Sequence, residues 1–360
     1  MYKKIILFSI IFFFFFENSF ANNYIERTID GHKFRTIKYD VKSKDYIFKI
    51  GINPDFGATS LRELMEKNNG VSAINGVFFC PASYSECGGK NFTNNERYFK
   101  GIKIGTSSST QDRVVFAIDK KNKPFLYQTN KLNMDRESDI YYGFANFPLL
   151  LQDGESKIQD YIDLGLVDSK MTAKIDRNFI CSDITNRFIY TGYVSSISLL
   201  DLPDLLLKFG CYNALNLDAG GSSAMIYNGR YILGPARDIM DGVVIERKGL
   251  DTKNIIDNSV KVVSIIEKKI SKMSYNEKID YINNLISSLT KLRTSIYEKN
   301  SKDLYDLETG KKNGYEIEIK SLKNIEIIYM VNYINKLFSE LKIKLTDENN
   351  QIEDKNNLLF

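Results

Sequence analysis

Asp218 is followed by Ala219-Gly-Gly-Ser-Ser223 and preceded by the apolar run Ala214-Leu-Asn-Leu217. The run reads as a buried strand that delivers an acid to its exposed end. Gly220 and Gly221 let the backbone turn sharply and let a ligand approach main-chain N–H groups. Two hydroxyls, Ser222 and Ser223, come next. An acid, open amides and hydroxyls this close together suit three chemistries: a serine nucleophile, a carboxylate pair, or one carboxylate working beside an anion clamp.

The serine reading has the shortest reach. Gly220-Gly-Ser-Ser-Ala224 nearly fits a nucleophile elbow, but that motif needs a helix after the serine. Here Met225-Ile-Tyr-Asn-Gly-Arg-Tyr-Ile-Leu233 carries Asn228-Gly229, a strong hairpin signal. His32 is the only histidine and it precedes the serine, the wrong chain order for that fold. A carboxylate pair has candidates in Asp176, Asp183 and Asp241, none in a context shaped like that of Asp218. The third reading fits best. A phosphate ester departs as a stable anion and needs little protonation. The protein then has to hold the phosphate, stabilise a cationic sugar-like transition state and place a base or nucleophile. Open amides and arginines supply the clamp.

The elements that must position these residues read as an α+β domain. From about Tyr24 to Lys248, short β-type runs alternate with Gly, Asn and Asp turns, as in Tyr46–Ile52, Val114–Ile118 and Phe188–Val194. One helix is expected over Thr59–Lys67 with a Thr or Ser cap, and another over Asp201–Gly210. The second has Asp201 as cap, Pro203 in the first turn and Gly210 as stop. The expectation is a mixed β-sheet catalytic domain with few helices. After Gly249 the texture changes to Lys, Glu, Ile and Leu. Ile279 to Ile296 and Leu322 to Leu341 carry apolar residues at helical spacing, with a break at Thr309–Gly314. A C-terminal α-helical hairpin or bundle is expected, its stripes serving chiefly as packing surfaces. The organisation predicted is a signal peptide over 1–21, a catalytic domain over 22–249, a helical domain over 250–345 and a frayed tail over 346–360.

Composition sets the outer bounds. The chain has 360 residues, 43% hydrophobic and 26% charged, with net charge +4. That balance is globular and too mild to argue for nucleic acid. Lys3 and Lys4, the apolar run Ile5–Phe16 and Ser19-Phe-Ala21 read as a signal peptide cleaved after Ala21, so the protein is expected to be secreted, periplasmic or at the cell surface. Export permits disulfides. Cys80–Cys87 would close a local loop and Cys181–Cys211 would join neighbouring strands, with four buried thiols as the other option.

The run Ala214-Leu-Asn-Leu-Asp-Ala-Gly-Gly-Ser-Ser223, after a helix ending at Gly210, resembles the signature of the phosphodiester glycosidase family. Ala73-Ile-Asn-Gly-Val-Phe-Phe79, Phe147-Pro-Leu-Leu-Leu-Gln-Asp-Gly154, Arg177-Asn-Phe-Ile-Cys181 and the Asn228-Gly229 to Arg237 segment resemble further elements in the family's order, over roughly 35–248. Two positions depart: Ala219 and Cys181 stand where the family has glycine. A β-carbon at Ala219 requires a negative φ, and Cys181 suggests a changed strand contact or a disulfide.

By themselves Arg177 and Arg237 read as surface arginines, and Asn75 as a turn residue. The resemblance implies Asp218, Arg177 and Asn75 as catalytic residues, with Gly220, Gly221, Ser222, Ser223 and Arg237 binding substrate. It implies no cofactor, leaves any metal open, and makes a carbohydrate phosphodiester the partner. The activity expected is hydrolysis of sugar-1-phosphodiesters in envelope or exopolysaccharide material. The rival expectation is a non-catalytic carbohydrate- or envelope-binding protein, with the C-terminal helices docking an envelope or protein partner or forming oligomers.

Overall fold

The structure is a computed structural model that describes residues 23–53, 57–105, 114–128 and 134–357. The expected signal peptide over 1–21 lies outside the described residues. Three antiparallel sheets and seven α-helices make up the described residues, an α+β architecture.

The largest sheet has nine strands. In spatial order they are Glu155–Ser156, Leu149–Gln152, Asn213–Asn216, Ile175–Ser182, Phe188–Ile197, His32–Asp40, Asn23–Ile29, Lys312–Glu318 and Ser301–Tyr305. A five-stranded sheet follows the order Arg230–Leu233, Met225–Tyr227, Gly70–Asn75, Asp241–Arg247, Tyr46–Ile52. The third places Ile140–Asn146 between Arg97–Phe99 and Val114–Asp119.

Side-chain alternation along a strand builds two cores on the nine-stranded sheet. Ile37, Tyr39, Ile180 and Leu215 face the other two sheets and join Phe48, Ala73, Phe116 and Phe144 in the main core. Phe34, Phe179, Cys181 and Ala214 point the other way, where Leu202, Leu205 and Leu206 cover them. Those leucines belong to the helix Leu202–Phe209, with Pro203 in its first turn and Gly210 closing it at φ +110°. Asp201 occupies the cap position, but its side chain makes no capping bond there. Ser60 does cap its helix, Leu61–Lys67, by accepting from the Glu63 amide. Both disulfides form, Cys80–Cys87 and Cys181–Cys211.

The C-terminal region holds three helices, Thr252–Ile270, Tyr275–Lys299 and Leu322–Asn357. The last continues well past Thr346, where the polar composition suggested fraying. Between the second and third lies a β-hairpin that helical periodicity does not foretell. Its strand Lys312–Glu318 pairs antiparallel with Asn23–Ile29 and so extends the main sheet. The last helix also reaches the other sheet. Tyr329 lies against Gly229, and Asn332 Nδ2 donates to the Asn228 carbonyl at 2.8 Å. Asn228 and Gly229 take φ +46° and +76°, the left-handed pair that a tight two-residue hairpin turn demands.

Candidate functional site

Asp218 sits just beyond the end of the strand Asn213–Asn216. Its amide donates to the Gly76 carbonyl at 3.0 Å. Its carbonyl accepts from Asn75 Nδ2 at 2.7 Å. Asn75 Oδ1 accepts from the Ala224 amide at 3.1 Å and from Asn178 Nδ2. One buried carboxamide therefore fastens three chain segments around the acid. The Asp218 carboxylate accepts from the Ala219 amide at 2.8 Å and is hydrogen-bonded by the Ser222 hydroxyl.

Ala219 takes φ −135°, extended backbone that carries a β-carbon without strain. Gly220 then turns at φ +62°. At Gly221 the limit is space: a β-carbon would overlap Arg237 Nη2 and lie 2.7 Å from its Cζ. The Arg237 amide also donates to the Gly221 carbonyl at 3.0 Å. Both residues of the Gly-Gly pair are thus needed, one for its dihedral and one for its guanidinium neighbour. The Arg237 Cζ stands 5.3 Å from the centroid of the Tyr84 ring, and Lys170 Nζ stands 5.5 Å from the same centroid. Ser222 is buried, as is Ser223, whose Oγ has no hydrogen-bond partner.

Burial pushes the Asp218 carboxyl up from its ordinary 3.8 to about 7. The Ser222 and Ala219 bonds and the Arg237 charge pull it down, and the charge of Asp241 pushes it further up. Asp241 is 1% exposed and is itself pushed up to about 6 by burial, with the Arg97 charge opposing. Its Oδ1 accepts from the Val77 amide at 2.9 Å, while Oδ2 has no hydrogen-bond partner. Arg97 is 5% exposed, with Nε and Nη1 likewise unpartnered. Charges acting on neighbours thus run Arg97, Asp241, Asp218, Arg237. The sequence leaves Asp241 open as a partner but does not point to Arg97. No motif marks it, and an arginine starting a three-residue strand gives no sign that it will be buried.

Both acids bind protons in the folded protein that the unfolded chain releases above about pH 4. Stability is therefore expected to fall as pH rises from about 4 through about 7, because the native state binds more protons in that window. Denaturant titrations across this range check it. An unchanged slope in the Asp218→Asn, Asp241→Asn double variant would assign the dependence elsewhere.

The structure brings Asn75 and Asp218 together, with the Gly-Gly turn, Ser222 and Arg237. It does not bring the Arg177 guanidinium there. Arg177 shares its strand face with Phe179 and Cys181, whereas Asn178, on the opposite face, reaches Asn75. Arg177 Nη2 donates to the carbonyls of Lys170, Met171 and Ala173 at 2.9, 2.6 and 2.8 Å, and Nε to that of Ile197 at 3.4 Å. The carboxylate whose charge acts on it is Asp168. Arg177 thus fastens the segment that carries Lys170, and Lys170 in turn lies over Tyr84. His32 lies apart from the serines: its Nδ1 donates to the Ser195 carbonyl at 3.0 Å.

A carboxyl raised toward neutrality thus stands at a Gly-Gly turn of an antiparallel scaffold, within the field of a guanidinium. Residues 68–246 match the phosphodiester glycosidase family model, and the chain carries a domain of that family. The fold is similar to that of the catalytic domain of zebrafish N-acetylglucosamine-1-phosphodiester alpha-N-acetylglucosaminidase, with TM-score 0.52 and 17% identity, covering 63% of this chain and 83% of that one. A hypothetical protein from Synechocystis aligns at TM-score 0.46 and 13% identity over 62% of each chain. A stretch of 92 residues is 36% identical to the SPbeta prophage-derived uncharacterized protein YomE of Bacillus subtilis (strain 168). That stretch spans 24% of this chain and 13% of the relative.

Proposed function

We propose that this protein is an exported hydrolase that cleaves the glycosidic bond of sugar-1-phosphodiesters, releasing a free sugar and a phosphomonoester. The observation that carries this reading is Asp218, raised to about 7 beside the Arg237 guanidinium. A carboxyl with that affinity for protons exchanges them effectively at neutral pH, and a neighbouring cation suits the phosphate that departs. Asp218 acts as base or nucleophile and Arg237 holds the phosphate. The backbone at Gly220 and Gly221, with Ser222, meets a substrate oxygen. The orphaned donors of buried Arg97 make it a second cation for the same task. Asn75 and Arg177 act through the backbone they fasten rather than by touching substrate. Cell-envelope or exopolysaccharide phosphodiesters are the natural substrates, and two disulfides suit an oxidising compartment.

The departures that favoured a non-catalytic binding protein have structural accounts. Ala219 is extended, and Cys181 closes a disulfide. The test is release of free sugar and phosphomonoester from a panel of sugar-1-phosphodiesters by purified mature protein. No release from any member would remove the hydrolase reading. Within it, Gly221→Ala is expected to displace Arg237 and raise KM by about tenfold, the value of one charge-assisted hydrogen bond. Steady-state kinetics check this, and an unchanged KM would mean that Arg237 does not hold substrate.

A further inference from the structure

A recess opens next to the Asp218 site, joined to it through Tyr84. It is shallow and open to solvent, with a volume of about 300 Å³, and is lined by Phe78, Phe79, Tyr84, Phe92 and Phe147, with Thr93, Asn94 and Asn95 among its polar residues. Phe92 and Tyr84 are 41% and 39% exposed. Exposed aromatic rings gathered in one recess mark a binding surface, and this volume is at the small end of ligand pockets.

The rings are held rigidly. The Cys80–Cys87 disulfide closes the loop that carries Tyr84. Cys80 and Phe92 exchange two backbone hydrogen bonds, at 2.8 and 3.1 Å. Asn91 Oδ1 accepts from the Ala82 amide at 2.7 Å, and Thr93 Oγ1 donates to the Phe78 carbonyl at 2.8 Å. Phe78 and Phe147 pack with centroids 5.4 Å apart.

The recess is tied to the reaction centre at two points. Tyr84 lines it and also carries Arg237, the cation that acts on Asp218. Phe78 follows Val77 and Gly76, whose backbone bonds Asp241 and Asp218.

We infer that this recess is a subsite for a second pyranose ring, so that the substrate is a saccharide chain rather than a single sugar phosphodiester. A pyranose presents a flat C–H-bearing face and a hydroxyl edge. The face stacks on preordered rings at little entropic cost. A long acyl chain would need a deeper and less polar channel than this one.

This assignment rests on the hydrolase reading for its place in catalysis, but binding tests it separately. Calorimetry of full-length mature protein with neutral pyranose oligosaccharides is expected to show saturable binding. Phe92→Ala and Phe92→Leu should each weaken it about tenfold, the upper range for one aromatic contact. Phe92→Leu keeps apolar volume at an exposed position, so its loss reports the ring and not misfolding. With phosphodiester substrates, both variants should lower the ratio of kcat/KM for a saccharide-extended over a single-sugar substrate by a similar factor. Oligosaccharide binding sensitive to Phe92 without any hydrolysis would keep the subsite and remove the hydrolase. Hydrolysis without oligosaccharide binding, or with a preference for an alkyl aglycone, would overturn the subsite.

Discussion

Replacing Asp218 with Asn is expected to lower kcat on a sugar-1-phosphodiester by about a hundredfold or more, the lower end of what positioned acid–base groups contribute. Asn keeps the shape and keeps an oxygen for the Ala219 amide, which donates to Oδ1 at 2.8 Å. It removes the charge and the titration, and replaces the second carboxylate oxygen with an NH2 that cannot accept a hydrogen bond. The backbone tethers that place residue 218, from Asn75 Nδ2 and to the Gly76 carbonyl, do not involve the side chain. The loss will therefore not come from unfolding. Burial already disfavours the ionised acid, so the variant should melt at the same temperature or higher at neutral pH. Kinetics and thermal melts on one preparation separate the two effects. Activity within threefold of wild type would show that Asp218 does no chemistry.

Truncation after Gly249 is expected to cost the protein its folded state. Such a chain keeps every residue of the family match, which ends at 246. It nevertheless loses Ile317, Ile319, Ile325, Ile328 and Tyr329, all in the main hydrophobic core. Each buried side chain of this size is worth about 1.5–3 kcal/mol, so their sum reaches about 10 kcal/mol, comparable to the whole stability of a domain. The cut also bares the edge of Asn23–Ile29, now paired with Lys312–Glu318, and an open edge strand invites aggregation. Soluble yield and melting temperature of the truncated chain decide it. A monomer that melts within a few degrees of full length would mean that the helices only decorate the sheet domain.

The hairpin at Asn228-Gly229, the helix from Leu202 to Gly210 and the strand Tyr46–Ile52 were legible because each depends on local chemistry. Positive φ, a proline in a first turn and period-two alternation are written in neighbouring residues. Both disulfides and the Asp218 turn were open to the same kind of reading. The hairpin Ser301–Tyr305 with Lys312–Glu318 was not. Its polar strands become strands by adding to a sheet edge nearly 300 residues away in sequence.

The chemistry of the site divides in the same way. Sequence alone determined that an acid stands at a strand end before a Gly-Gly turn, since strand, turn and acid are contiguous. Only the tertiary structure decided which cations attend it. Arg177 lies on the expected strand, but alternation turns it to the far face, into contact with backbone carbonyls. The charge of Arg237 acts on Asp218 because Gly221 leaves room for its guanidinium. The charge of Arg97 acts on Asp241 through the packing of two separate sheets. The face a side chain takes and the partner it meets depend on register and sheet packing, and those are settled by contacts between residues far apart in the chain.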